Sequence, residues 1–284
     1  MTSKSVGIAG CGIMGGGIAQ VCAAHGYDVS VLEVDQQLLD QGLGGIKKRL
    51  GRDVERGRLS QEDCDGILGR LKGTTNTQDL SACDLVIEAI VEDPPTKQQF
   101  FAELGRVCKA GAILASNTSS LSLSALAAAS GRPEKVIGLH FFNPPAVLRL
   151  VEVISTQSAS QDTIDEAIAF CESIDRVVVR AKDTPGFVVN RLLVPFVFDA
   201  IRLVESGTAS AEDVDEACKA GLNHAMGPIA TADLVGLDTL VHIGESMFEE
   251  YGEARFKAPT MLRRMVSLGH LGRKSGKGFF DYSK

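Results

Sequence analysis

Val6-Gly7-Ile8-Ala9-Gly10-Cys11-Gly12-Ile13-Met14-Gly15-Gly16-Gly17-Ile18-Ala19 limits what this chain can fold into more than any other stretch. A short apolar run breaks into glycines and resumes with small and apolar residues. That order reads as buried strand, tight turn and helix start. Gly10, Gly12 and Gly15 fit G-x-G-x-x-G. The first glycine of that motif permits the turn, the second lets backbone approach a pyrophosphate, and the third lets the helix pack closely on the sheet. The unpaired N–H groups at the helix start, where Ile13 and Met14 lie, then face the phosphates together with the positive end of the helix dipole.

The next strand-like run, Tyr27 to Leu32, ends at Glu33. An acid about 20 residues past the glycines is placed to bind the adenosine ribose hydroxyls. A carboxylate there also repels a 2′-phosphate, so NAD is favoured over NADP. The bland alternative is a solvated charge at a strand end, and Asp35 is a second candidate for the ribose role.

With 284 residues, 44% of them hydrophobic, the chain can build a real core and has room for two domains. A net charge of −7 offers no broad basic surface for nucleic acid. The seven cysteines show no C-x-x-C pair, which fits a reducing, cytoplasmic setting better than a disulfide framework. No H-E-x-x-H or Cys/His cluster suggests a metal. The most apolar later stretch, Phe187 to Ile201, is interrupted by Asn190, Arg191 and Asp199, so no membrane span is expected.

Up to about Lys182, strand-like runs alternate with helix-like ones. Helices are expected over Gln36 to Leu50, continuing through Arg58, and from the capped start Ser60-x-x-Asp63 to Leu71. Pro94 and Pro95 suit another first turn. Further strands are expected at Asp84–Ala89, Ala112–Ser116, Lys135–Phe141, Leu150–Ile154 and Arg176–Arg180. This alternation predicts an α/β, Rossmann-type domain over residues 1–184, its mostly parallel sheet covered on both faces. From Phe187 the pattern is helical, with Ser210-x-x-Asp213 as another capped start and Pro195 expected to kink or interrupt its helix. The second domain, 185–284, is therefore expected to be all-helical, ending in a tail, Gly276 to Tyr282, with aromatics to bury.

His140 ends a predicted strand, just before Asn143-Pro144-Pro145. Ligands in open α/β sheets bind beyond the carboxyl ends of strands, and imidazole is the side chain best suited to proton transfer near neutrality. A structural histidine on a strand edge is the competing reading. Glu152 stands alone in the apolar run Leu150–Val153 and needs a partner; a hairpin-like return would carry its carboxylate to the imidazole. The hydroxyl-rich run Ser116-Asn117-Thr118-Ser119-Ser120 could bond substrate oxygens or cap a helix. Asn190 is an amide inside an apolar run and wants partners. Arg49, Arg52 and Arg56, at helical spacing with Lys47 and Lys48 nearby, form either a solvated face or a handle for an anionic substrate. No G-x-S-x-G elbow supports serine nucleophile chemistry.

Taken in order, several pieces resemble the short-chain L-3-hydroxyacyl-CoA dehydrogenases, close to the bacterial 3-hydroxybutyryl-CoA enzymes. They are Gly10-x-Gly12-x-Met14-Gly15, Glu88-Ala89-Ile90-Val91-Glu92, Ala115 to Ser120, His140-Phe141-Phe142-Asn143-Pro144, Asp183 to Arg191, Asp233 to Asp238, and Gly272 to Gly276. The likeness runs essentially end to end. It implies NAD-dependent, reversible oxidation of an (S)-3-hydroxyacyl-CoA thioester. His140 would be the base and Glu152 its paired acid, with Ser119 and Asn190 bonding the substrate around its reacting oxygen. It further implies Glu33 at the ribose, and Glu92, Lys97, Ser119, Asn143 and Lys274 around the nicotinamide half. Arg49 and Arg56 fall where the family places contacts to coenzyme A. The helical domain would make a homodimer. One departure is Asn143-Pro144-Pro145-Ala146, where the family commonly reads Asn-Pro-Val-Pro. Two other expectations stay open: a dehydrogenase of a free 3-hydroxy acid or sugar acid, and a non-catalytic NAD-binding protein.

Overall fold

A computed structural model describes residues 5–119 and 121–283. The chain divides into two compact units, Met1–Thr184 and Pro185–Lys284.

The first unit contains, in chain order, β1 (Ser5–Ala9), α1 (Ile13–Ala24), β2 (Asp28–Leu32), α2 (Gln36–Glu55), α3 (Gln61–Gly69), β3 (Leu71–Thr74) and β4 (Leu85–Glu88). It continues with α4 (Pro94–Val107), β5 (Ile113–Ser116), α5 (Leu123–Ser130), β6 (Val136–Phe141), β7 (Leu150–Ser155), α6 (Gln161–Ser173) and β8 (Val177–Lys182). The strands form one sheet in the order β3-β2-β1-β4-β5-β6-β7-β8. Every neighbouring pair is parallel except β6–β7. The chain leaves β1 for β2 on one side and β4 on the other, so the strand order reverses there. Such a switch point opens a crevice at the carboxyl ends of the strands. Every residue of β4, β5 and β6 is buried, which requires cover on both faces of the sheet.

Local chemistry accounts for the helix starts. Asp35, Ser60, Asp93 and Ser160 each accept a backbone N–H three residues on, at α2, α3, α4 and α6. Each such cap contributes about 1 kcal/mol. At α4, Pro94 takes the first helical position, where its missing N–H costs nothing. The helix from Gln36 stops at Glu55 rather than running through Arg58. Gly57 adopts φ +67° there and its N–H bonds Val54 C=O, a left-handed turn that ends the helix.

The second unit contains α7 (Val189–Glu205), α8 (Ala211–Leu222), α9 (Pro228–Val235), α10 (Leu237–Tyr251) and α11 (Thr260–Ser267). Its described residues form no strand beyond isolated bridges at Gly272–Lys277 and Lys277–Asp281. Of the kink or interruption expected at Pro195, the interruption does not occur, since α7 continues through it. Val194, Val197 and Phe198 are fully buried on either side of the proline, and their packing outweighs the one hydrogen bond it removes. Buried Asp233 accepts the N–H groups of Phe279 and Phe280, both at 2.9 Å, drawing the tail's aromatics against the core. Among the described residues, no helix is long and apolar enough to cross a membrane.

Candidate active site

The glycine turn follows β1. Gly10 has φ +89°, and a Cβ there would sit 2.5 Å from Ala89 C=O. A Cβ on Gly15 would fall 1.8 Å from Gly10 C=O, so helix and turn meet backbone to backbone. Gly12 differs: a Cβ on it would meet nothing within 4 Å. No packing within the protein demands glycine there, whereas close approach of a ligand does. Beside the turn lies a cavity of about 660 Å³, lined by Gly10, Gly12, Glu33, Leu38, Ile90 and Phe100 among others. That size suits a bound small molecule or cofactor fragment.

Glu33 reaches from the end of β2 into this cavity. Its Oε1 accepts the Cys11 N–H at 2.5 Å, which locks the carboxylate onto the glycine turn. Its rival Asp35 is occupied as the cap of α2, accepting the Leu38 N–H at 2.8 Å. Burial pushes the Cys11 thiol up to about 11, so it stays protonated at neutral pH and is not a nucleophile. These residues fit a dinucleotide: open backbone at the phosphate turn, a carboxylate for ribose hydroxyls, and a cavity between.

The second constellation stands at the ends of β5 and β6. In the antiparallel β6–β7 register His140 lies directly opposite Glu152. His140 Nδ1 and Glu152 Oε2 are 2.7 Å apart, with Glu152 fully buried and His140 4% exposed. The other ring nitrogen, Nε2, lies 2.9 Å from Ser119 Oγ. Nδ1 donating to the Glu152 carboxylate leaves Nε2 as the acceptor for the Ser119 hydroxyl. The Phe142 ring packs at 4.6 Å from the imidazole. Asn117 Oδ1 accepts the Phe141 N–H at 2.9 Å and ties the end of β6 to the loop after β5.

Behind Ser119 runs a chain of charged groups. Glu88 ends β4 with no exposure; it accepts from Lys97 Nζ and Ser116 Oγ, each at 2.7 Å, and from the Ile90 N–H at 2.8 Å. Lys97, 1% exposed on α4, also pairs with Glu92 Oε2 at 2.7 Å. Glu92 Oε1 in turn accepts the Thr118 hydroxyl and the Ser119 N–H. Burial works against its charge, but the Lys97 pair and these hydrogen bonds outweigh it, holding the Glu92 carboxyl below its ordinary range. Of the Ser/Thr run, then, Ser116, Thr118 and Ser119 serve this cluster. Ser122 stands at the start of α5 without a side-chain cap bond, and Asp183 accepts the Leu123 and Ser124 N–H groups instead. Ser120 lies outside the described residues.

The remaining candidates are divided between the two units. Arg49 turns toward α1, its Nε donating to Gln20 Oε1 at 3.0 Å and its Nη2 buried without a hydrogen-bond partner. Desolvation lowers its pKa. Arg56 is exposed just past the end of α2. Asn143 is exposed in the loop between β6 and β7. On the second unit, Asn190 is half-buried in the first turn of α7, and Lys274 pairs with Asp238 at 2.6 Å. Sequence reasoning passed over Glu88 and Asn117 as site residues. Glu88 carried a usable signal, since a lone acid closing the apolar run Leu85–Ile87 demands a partner as Glu152 does.

A dinucleotide turn at the switch point and a histidine–carboxylate pair at neighbouring strand ends define the class: a nicotinamide-nucleotide-dependent oxidoreductase. Residues 5–184 match the model of the 3-hydroxyacyl-CoA dehydrogenase NAD binding domain, and 186–282 match the C-terminal domain of the same family. The chain belongs to the 3-hydroxyacyl-CoA dehydrogenase family. It is 48% identical over 281 residues to 3-hydroxybutyryl-CoA dehydrogenase of Mycobacterium tuberculosis, covering 98% of each chain. With the enzyme of that name from Clostridioides difficile it shares 43% identity over 277 residues, 98% of this chain and 99% of the other. The crystal structure of M. tuberculosis FadB2 superposes with a TM-score of 0.97 at 47% identity, covering 99% of this chain and 100% of that one.

Proposed function

We propose that this protein oxidises (S)-3-hydroxyacyl-CoA thioesters, 3-hydroxybutyryl-CoA foremost, to the 3-oxoacyl-CoA with NAD⁺, and runs the reaction in reverse with NADH. The observation that carries the reading is the His140–Glu152 pair, buried, in register and 2.7 Å apart, with Nε2 presented toward Ser119. Relatives named for 3-hydroxybutyryl-CoA support the substrate.

The cofactor, when bound, supplies the acceptor for the hydride that leaves C3 of the alcohol. Everything else falls to the protein. His140 Nε2 takes the hydroxyl proton as the C3–O bond becomes a carbonyl, so hydride and proton depart separately and the charges balance. Glu152 holds the ring through Nδ1–H and stabilises the imidazolium that forms. Ser119 Oγ holds the reacting oxygen. Glu33 binds the adenosine ribose, and Glu92, Lys97 and Asn143 serve the nicotinamide half. Arg49, with an unpaired Nη2, and Arg56 bind coenzyme A phosphates. On the second unit Leu192, Leu222 and Leu268 are 71%, 59% and 72% exposed, and a second copy of the chain covers such residues in a homodimer.

The test is NADH oxidation followed by absorbance with acetoacetyl-CoA, set against free acetoacetate and sugar acids. Thioester turnover with little turnover of the free acids supports the proposal; the reverse preference replaces it with the free-acid reading. A folded His140→Ala variant is expected to lose activity by about a hundredfold to ten-thousandfold while still binding NADH. Near-normal turnover would remove His140 from the mechanism.

A further inference from the structure

We propose that Glu88 is a positioning residue for the His140 centre: through Lys97 and Glu92 it sets the 117–119 loop that carries Ser119 to the imidazole. The proposal rests on the catalytic reading of His140 above and adds to it a residue that touches neither substrate nor cofactor.

The argument starts from what holds the loop. Residues 117–119 belong to no helix or strand. Their backbone is held by the Glu88 system at each step. Asn117 N–H donates to Glu88 C=O at 2.8 Å, Thr118 N–H to Ser116 Oγ at 3.2 Å, and Ser119 N–H to Glu92 Oε1 at 3.2 Å. Ser116 is itself bound to Glu88 Oε2, and Glu92 is reached from Glu88 through Lys97. The path from Glu88 to His140 Nε2 therefore consists of ion pairs and hydrogen bonds, each with a fixed direction.

A buried ion pair is a poor way to gain stability, because desolvation offsets the attraction. What Glu88 and Lys97 supply that apolar side chains could not is orientation. Glu88, fully buried, holds the ammonium in one place, and Lys97, 1% exposed, then holds the Glu92 carboxylate against Thr118 and Ser119. Lys97 thus acts on whatever binds at the loop by way of Glu92, with its ammonium committed to two carboxylates.

The cluster also places charge near the imidazole. Glu88, Lys97 and Glu92 together carry one net negative charge, and Glu152 on β7 also faces His140. Removing Glu88's charge makes the surroundings of the ring more positive, and removing Lys97's makes them more negative. The two changes must therefore move the acid limb of the oxidation pH profile in opposite directions.

The experiment compares Glu88→Gln, Lys97→Met and the double variant with the wild type, using full-length enzyme with His140→Ala alongside. Glu88→Gln is expected to lower kcat about tenfold to a hundredfold through displacement of Ser119. ADP-ribose affinity by calorimetry stays within about threefold, because the glycine turn and Glu33 that hold that half of the cofactor are untouched. The acid limb shifts to lower pH in Glu88→Gln and to higher pH in Lys97→Met. The double variant, which leaves no buried charge unpaired, stays folded and loses no more activity than the worse single variant. A folded Glu88→Gln with wild-type kcat and an unmoved profile, or a folded double variant with wild-type kcat, overturns the positioning role. If His140→Ala remains active, the catalytic reading fails instead, and the two failures are told apart.

Discussion

Replacing Glu152 with glutamine tests the site most directly, because the change keeps the shape and removes the charge. Glu152 is fully buried and receives His140 Nδ1–H at 2.7 Å. Hydrogen bonds to a charged partner are worth about 1.5–3 kcal/mol, against about 0.5–1.5 for neutral ones. In the ground state the ring is neutral and either side chain can accept from Nδ1. In the transition state the ring gains a proton, and only the carboxylate meets that charge. Losing the ionic share, the difference between the two, removes about 1–1.5 kcal/mol from the transition state, and with a factor of ten for each 1.4 kcal/mol kcat should fall roughly fivefold to twelvefold. The direction of the pH effect follows from the same charge. Removing that negative charge makes the surroundings of the ring more positive, so the acid limb of hydroxyacyl oxidation is expected at lower pH than in the wild type. Stopped-flow turnover from pH 5 to 9, with circular dichroism to confirm folding, reads both. Turnover within twofold of wild type and an unmoved limb would show that the pairing has no part in the chemistry.

Three other substitutions probe the surrounding machinery. Glu33→Ala should weaken NAD⁺ binding about tenfold and narrow its preference over NADP⁺, since a carboxylate that accepts ribose hydroxyls and repels a 2′-phosphate is gone; an unchanged cofactor ratio in titration calorimetry would move the role elsewhere. Gly15→Ala places a Cβ 1.8 Å from Gly10 C=O and should abolish cofactor binding or lower Tm by several degrees; a stable variant of normal affinity would contradict the close backbone packing. The Glu92 carboxyl titrates below its ordinary value of 4.5, so its stabilising contribution is present above that pH and is lost as pH falls through the lowered folded value. Glu92→Gln should therefore flatten the stability curve below about pH 4.5, read by urea unfolding at successive pH values; a curve as steep as wild type would assign the acid sensitivity to other groups.

How much could be read ahead of the fold depended on whether the information was local. The caps at Asp35, Ser60 and Asp93 are a side chain and an N–H three residues apart, so spacing alone exposes them. Gly10 and Gly15 were readable for the same reason: a strand, a turn and a helix within fifteen residues leave few backbone solutions. Pro195 does not interrupt α7 because the local rule, the missing N–H, is outweighed by packing that the sequence does not display. Glu33 ranks ahead of Asp35 by its place at the strand end, and the structure adds that one carboxylate accepts the Cys11 N–H while the other caps α2.

The alternating α/β class, the glycine turn and the helical character of the second unit were determined by the sequence itself, since each follows from periodicity and short-range backbone chemistry. The tertiary structure alone decided that β6 and β7 pair so that His140 faces Glu152, and that the ends of β4 and β5 meet α4 at Glu88, Ser116 and Lys97. The reason is physical: strand register and the convergence of distant carboxylates on one ammonium are set by burial across the whole sheet, and slipping one strand by a single residue would turn every one of its side chains to the opposite face.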